Sequence, residues 1–290
     1  LFPHAFQYAR RQRLPLLAVL LCPFALWGCS LFPGDESHVP TGPKRSLLQP
    51  LQAAPDAVQV DICQLERPAE DPLLASEIWR EVDEHGDLTL ETLETLRENG
   101  FRIGHFSSNP PPSSIQKLLG MVADIPTDSS GFGKPLMGIH RFVSPGIDTE
   151  IATGIERDQC DFELHDKDGA KTLEYQKMNC VFRMKARRLQ DGWVRVDFQP
   201  EIHHGERQLR RIPTEHGFSL KSQQNIDPLL GQRFSVTMNV GETMLITAAP
   251  GHEGTLGDRF FRQDVGGDGN QRVLKRQRVL FIRITDAGKS

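Results

Sequence analysis

Apolar residues recur along this chain with two different periods, and the change between them organises the reading. Val58, Val60 and Ile62 alternate with Gln59 and Asp61, the period of a half-buried strand that ends before Pro68. The spacing then lengthens to that of helices. Asp71-Pro72 offers a cap and a first-turn proline for a segment reaching about Glu84, with Leu74, Ile78 and Val82 on one stripe. Leu90, Leu93 and Leu96 mark a second helix that Asn99-Gly100 stops. A third follows Pro110-Pro111-Pro112: Ser113 and Gln116 have capping-box spacing, and Ile115, Leu118, Leu119 and Val122 form its apolar face.

From about Ile151 the period is two. Cys160, Phe162 and Leu164 alternate with polar residues, as do Cys180, Phe182, Met184 and Ala186, then Val194, Val196 and Phe198. A three-residue loop at Gln190-Asp191-Gly192 pairs Leu189 with Trp193 and faces Ala186 with Val196, which keeps both apolar sets on one side; a two-residue turn would not. Gly192 then needs a positive φ. The same parity argument, with a loop around Asp168-Gly169-Ala170, sets Cys160 opposite Cys180, within disulfide reach. As two buried thiols they would serve equally as small apolar residues. Residues 234–240 alternate again, Met244-Leu245-Ile246 is a short apolar strand, and Val279-Leu280-Phe281-Ile282 reads as a central strand buried on both faces. The class this implies is α+β, with short amino-terminal helices packed on a β-rich, mainly antiparallel carboxyl-terminal sheet domain. Residues 57–150 supply one strand and the helices, and residues 151–290 the remaining strands.

Ahead of this domain the pattern is of another kind. Arg10, Arg11 and Arg13 precede an uncharged apolar run over residues 14–27, short for a bilayer span, which takes about 20 residues. Basic region, apolar region and small residue are the order of a secretory signal. Leu26-Trp27-Gly28-Cys29 resembles a bacterial lipobox, with Trp27 bulkier than the small residue usual there. Residues 1–28 are therefore expected to be a lipoprotein-type signal, its functional start nearer Arg10 than Leu1, and Cys29 the lipidated residue. Residues 29–56 carry Pro33, Pro40, Pro43, Pro50 and Pro55, as a semi-extended linker would. The expected location is the cell envelope, lipid-anchored outside the cytoplasm and on the periplasmic side of an outer membrane.

Charge narrows the partners. The whole chain carries −4, and loss of the leader with its three arginines takes this to −7. That balance argues against general nucleic-acid binding, which relies on clustered Lys and Arg to neutralise phosphates. Three cysteines, Cys63, Cys160 and Cys180, remain in the domain, too few for a disulfide-dense scaffold. No cofactor is expected.

The carboxyl-terminal half resembles the core of the bacterial secretins. The resemblance rests on residues 194–202 (Val-Arg-Val-Asp-Phe-Gln-Pro-Glu-Ile), on Val240-Gly241-Glu242-Thr243-Met244-Leu245-Ile246 and on residues 278–285 (Arg-Val-Leu-Phe-Ile-Arg-Ile-Thr), with residues 58–66 similar to the strand that opens that family's domain. In the family a strand ending in proline precedes a Gly-Glu/Gln-Thr hairpin and a last apolar strand. The resemblance implies an envelope β domain. It does not extend to the pore, because Ala248-Ala249-Pro250 stands where the family has paired glycines. The strands around Glu163, Lys171, Glu174, Lys185 and Arg187 also carry charges that would each cost a few kcal/mol near a bilayer midplane.

Candidate chemistry is sparse. His203-His204-Gly205-Glu206, with Glu215-His216 beyond, is the densest set of metal-type ligands, and imidazole with carboxylate suits zinc. Adjacent strand histidines point to opposite faces, so His203 and His204 join one site only if a loop turns them; Gly205 suggests such a loop. No His-Glu-x-x-His spacing occurs, and solvated loop residues are the simpler account. His252-Glu253 reads as an exposed turn, and Asp264, Asp268 and Asn270 lack the spacing of a calcium loop. Gly131-Phe132-Gly133-Lys134 lacks the spacer of a phosphate loop and is followed by Pro135. Ser107, Ser113 and Ser219 have no nucleophile-elbow context. Trp79 reads as core. The function expected is that of a non-enzymatic envelope lipoprotein that binds a protein partner or assembles with itself. The alternatives are a metal-dependent hydrolase using His203, His204 and His216, and a glycan-binding module, against which the few tyrosines and tryptophans weigh.

Overall fold

The computed structural model describes residues 57–84, 86–121, 135–144, 147–154, 156–190, 192–214, 217–265 and 274–287. The leader, the linker and Cys29 lie outside the described residues, as do Val122, residues 131–134, His216, Asp268 and Asn270. No helix among the described residues is long and apolar enough to cross a membrane.

In chain order, β1 (Val58–Pro68) leads into two short helical turns over Leu73–Glu77 and Ile78–Arg80, then α1 (Leu90–Glu98), β2 (Phe101–Phe106) and α2 (Ser113–Leu118). Next come β3 (Pro135–Val143), β4 (Thr149–Ala152), β5 (Arg157–Asp166), β6 (Gly169–Arg188), β7 (Trp193–Thr214) and β8 (Gly217–Pro228). The chain continues through β9 (Phe234–Asn239), β10 (Thr243–Ala248), α3 (Leu256–Phe261), β11 (Arg262–Val265) and β12 (Leu274–Asp286). The fold is mostly β, with few short helices and two antiparallel sheets, one of them a half-barrel.

The first sheet has the order β2-β10-β12-β1-β3, with β11 beside β12. It joins strands from both sides of position 150, so three strands, rather than the single one expected, come from the amino-terminal segment. The second has the order β4-β6-β7-β8, with β5 on β6 and β9 on β7. The first sheet is covered on both faces. Leu280, Ile282 and Met244 meet the second sheet's Phe182, Phe198 and Phe234 in the main core, while Val279, Phe281 and Leu245 pack under the helical turns with Leu74, Ile78 and Trp79. The nearly continuous apolar runs in β10 and β12 follow from that double burial. The second sheet buries one face only. Its apolar residues therefore fall mostly at alternate positions, and its other face is charged.

The helical stops and turns are local. Thr89 Oγ1 accepts the Thr92 N–H at the head of α1, and Gly100, at φ 79°, closes its end. Ser113 does not cap α2 as the capping-box reading required. Its hydroxyl donates to Glu81, and Gln116 Nε2 donates to the Pro111 carbonyl. Between β6 and β7, Ala186 pairs with Val196, Leu189 N–H donates to the Trp193 carbonyl, and Gly192 has φ 84°, as the three-residue loop requires.

The Cys160–Cys180 register is corrected. Asp166 pairs with Gly169 across a two-residue turn, which sets Cys160 opposite Tyr175, five positions from Cys180. Both cysteines are buried free thiols.

Candidate functional site

The histidine pair lies in a strand, correcting the loop reading. β7 continues through His203-His204-Gly205, and the irregularity there is a shift in its pairing with β8 between His204 and Gln208. Gly205 takes φ 75° inside this bulge. With the strand unbroken, the two imidazoles point to opposite faces and do not share a site.

Each histidine belongs to a separate cluster. On the outward face, His203 Nε2 lies 3.1 Å from Glu201 Oε2. Glu201, 2% exposed, receives Arg183 through Nε at 2.6 Å and Nη2 at 2.9 Å, and Arg183 Nη1 reaches Asp148 at 2.9 Å. Burial alone would push the Glu201 carboxyl up. The hydrogen bonds from Arg183 and His203 outweigh it and hold the group below the usual glutamate range.

On the core side, the His204 ring sits 4.8 Å from that of Tyr175, and His204 Nε2 is 3.4 Å from Asp227 Oδ2. Tyr175 donates its hydroxyl to the same oxygen at 3.0 Å. Burial, then the Asp227 carboxylate, push the phenol up to about 12, so it stays protonated and closes the rim of the core rather than serving as a base. No group of three or more His, Cys, Asp or Glu side chains among the described residues is arranged to hold a metal ion.

The thiols are similarly quiet. Cys180 donates to the Arg259 carbonyl at 3.6 Å, and burial pushes it up to about 12; burial also raises Cys160. A thiol held this far from ionisation is a poor nucleophile.

The feature without a structural explanation is the far end of β7 and β8. From Gln208 outward these strands pair only with each other. Cross-strand partners share a face, so Leu209, Arg211, Phe218, Leu220 and Ser222 lie on one side, and Arg210, Ile212, Ser219 and Lys221 on the other. The apolar side is bare, with Leu209 72%, Phe218 77% and Leu220 67% exposed. A two-stranded ribbon is marginal in water by itself, and three large apolar side chains on one of its faces mark a surface made to be covered. The sequence missed this element because β8 carries no apolar alternation toward the core: its one buried residue is Gln224, which is polar.

A shallow cleft of about 40 Å³ lies elsewhere on the same chain, with Leu88, Ile103, Val236 and Met244 at its base and Asp83 and Asp87 at its rim. Comparison with protein-family models, with curated proteins and with solved structures returns no match.

Proposed function

We propose that this chain is a non-enzymatic protein of the cell envelope, tethered through Cys29, that assembles with itself through the β7–β8 ribbon. The observation that carries the reading is the bare face formed by Leu209, Phe218 and Leu220 on a ribbon whose strands, among the described residues, pair only with each other from Gln208 outward. A second copy is the occupant because the charges match. The apolar face of the ribbon carries Arg211, directly opposite Leu220, and the cleft edged by Asp83 and Asp87 is apolar at its base. Opposite charges around an apolar contact fix register and suppress wrong partners. The two surfaces differ, so the contact is head-to-tail and builds rings or filaments rather than an isolated dimer.

Sedimentation velocity of the full chain in mild detergent tests this. Reversible, salt-sensitive association is expected, weakened about tenfold or more by Phe218→Ser or Arg211→Glu. Mixing Arg211→Glu with Asp87→Lys recovers part of the loss. A monomer at every concentration and salt overturns the self-assembly.

A further inference from the structure

The outward face of the second sheet carries a cleft of about 400 Å³ on β6, β7 and β9, lined by Arg183, Lys185, Arg187, Arg195 and Arg233, with Asp197 among them. Strand register makes it a grid. Arg183 pairs with Gln199, Lys185 with Asp197, and Arg187 with Arg195; Ser235 lies on the far side of Asp197. Five cations facing one cleft are more than the fold uses.

Three of them are engaged. Arg183 holds Glu201 and Asp148, Lys185 reaches Asp148 at 3.1 Å, and Arg195 bonds Asp197 and Ser235. Burial would raise the Asp197 carboxyl, but hydrogen bonds from Ser235 and Arg195 hold it low, so it stays charged and committed to them. The other two make no hydrogen bond or ion pair with a carboxylate among the described residues, although the Arg187 charge helps to hold Asp197 low. Arg233 donates to the Gln199 carbonyl, a neutral partner, at 2.8 Å. Arg187 makes no hydrogen bond or ion pair with the described residues and stands directly opposite Arg195. Like charges directly opposed across an antiparallel pair destabilise it. Asp197 beside both offsets part of that repulsion, and the concave face leaves room for an anion to offset the rest.

We propose that this cleft binds phosphate groups, at least two at a time, with Arg187 and Arg233 as the binding residues and Arg183, Lys185 and Arg195 supplying the surrounding field. A guanidinium presents a planar pair of donors that fits phosphate oxygens bidentately. Arg187 and Arg233 are rooted two strands and four positions apart, about 16 Å by sheet geometry, and both are exposed. One phosphate cannot satisfy both. A short linear polyphosphate or two neighbouring phospholipid headgroups can. The inference does not depend on the ribbon.

Two probes separate the sources: inorganic tripolyphosphate by titration calorimetry, and vesicles of phosphatidic acid in phosphatidylcholine by co-sedimentation, each with the full chain in dilute salt. Arg187→Gln and Arg233→Gln are the variants, since neither residue supports an ion pair. Saturable binding of tripolyphosphate that each variant weakens about tenfold or more, the equivalent of a lost charged hydrogen bond, establishes a soluble phosphate site. Vesicle binding alone, lost in both variants, assigns the same chemistry to headgroups. Without ligand, Arg187→Gln is expected to raise Tm by relieving the repulsion from Arg195, and phosphate is expected to raise Tm in the unsubstituted chain only. Failure of both probes to bind, or binding that neither variant alters, overturns the proposal.

Discussion

One strand, β7, contains two regions that look alike in sequence and differ in fate. Its inner part is flanked by β6 and β9, and there Val194, Val196 and Phe198 are fully buried. Its outer part is flanked by β8 alone, and Leu209 is bare. Alternation of apolar and polar residues states which side of a strand is apolar. Whether anything covers that side is decided by neighbours far away in sequence. The comparison breaks most sharply at two phenylalanines. Phe198 stacks on Phe234 with ring centroids 5.0 Å apart and meets Phe182 edge-on at 6.2 Å. Phe198→Ala is expected to cost about 3–5 kcal/mol in urea unfolding, and Phe218→Ala on the ribbon less than about 0.5 kcal/mol. Similar losses at the two positions would mean that the ribbon face is covered within the chain, and the docking reading would go with it.

The second largest effect lies on the outward face of the inner part. Glu201 is nearly inaccessible, and both its oxygens are held by Arg183. Removing one member of such a pair strands the other, and because Arg183 keeps Asp148, Glu201→Gln is expected to cost about 2–3 kcal/mol. The pH dependence has a definite sign. Glu201 and Asp148 both titrate lower in the folded chain than their ordinary values, so the unfolded chain binds protons first. Their contribution is complete near neutrality and is lost as pH falls below about 5 through the folded values. Chemical denaturation at pH 7 and pH 4 should show stability falling toward acid, with a smaller fall in Glu201→Gln. An equal fall in both would remove Glu201 from the account.

How much of this was legible depended on whether the cause was local. The β6–β7 hairpin was readable because Gly192 and the parity of two apolar sets determine its register together. β2 was not: its alternation breaks at Gly104, where a Cβ would come within 2.9 Å of Val82 and 3.1 Å of Trp79. That glycine serves a close approach of the helical turns, which no local pattern reveals. α3 was hidden the same way, since Gly257 sits where a Cβ would lie 2.1 Å from the Gly100 carbonyl oxygen, a contact between segments far apart in sequence. Cys160 was misplaced because the two-residue turn at Lys167-Asp168 moves the register by an odd number of positions, and the irregularity at Lys177 further along β6 lets Cys180 still face the core. Of the site, the basic grid needed three strands brought side by side, and the ribbon needed the knowledge that β8 pairs with nothing else.

A third substitution sharpens the comparison at its boundary. Where the inner region gives way to the ribbon, both long strands bend: Lys177 in β6 takes φ 50° and Gly205 in β7 takes φ 75°. Bends free carbonyls from their ladders, and a buried carbonyl left unpaired is costly. Gln224, 6% exposed, answers both, donating from Nε2 to the Lys177 carbonyl at 2.8 Å and to the Gly205 carbonyl at 3.0 Å. One polar side chain from β8 thus ties the ribbon's root to the sheet. Gln224→Leu keeps most of the volume and removes the donor, at an expected cost of about 1–3 kcal/mol. The cost should fall unevenly, because the carbonyls it strands lie at the root of the ribbon while the core is untouched. Amide hydrogen exchange should therefore accelerate across residues 208–212 and 218–223 and change little across residues 193–199. Uniform acceleration of both regions would show that β7 unfolds as one unit, and that the boundary at Gly205 separates two surfaces but not two stabilities.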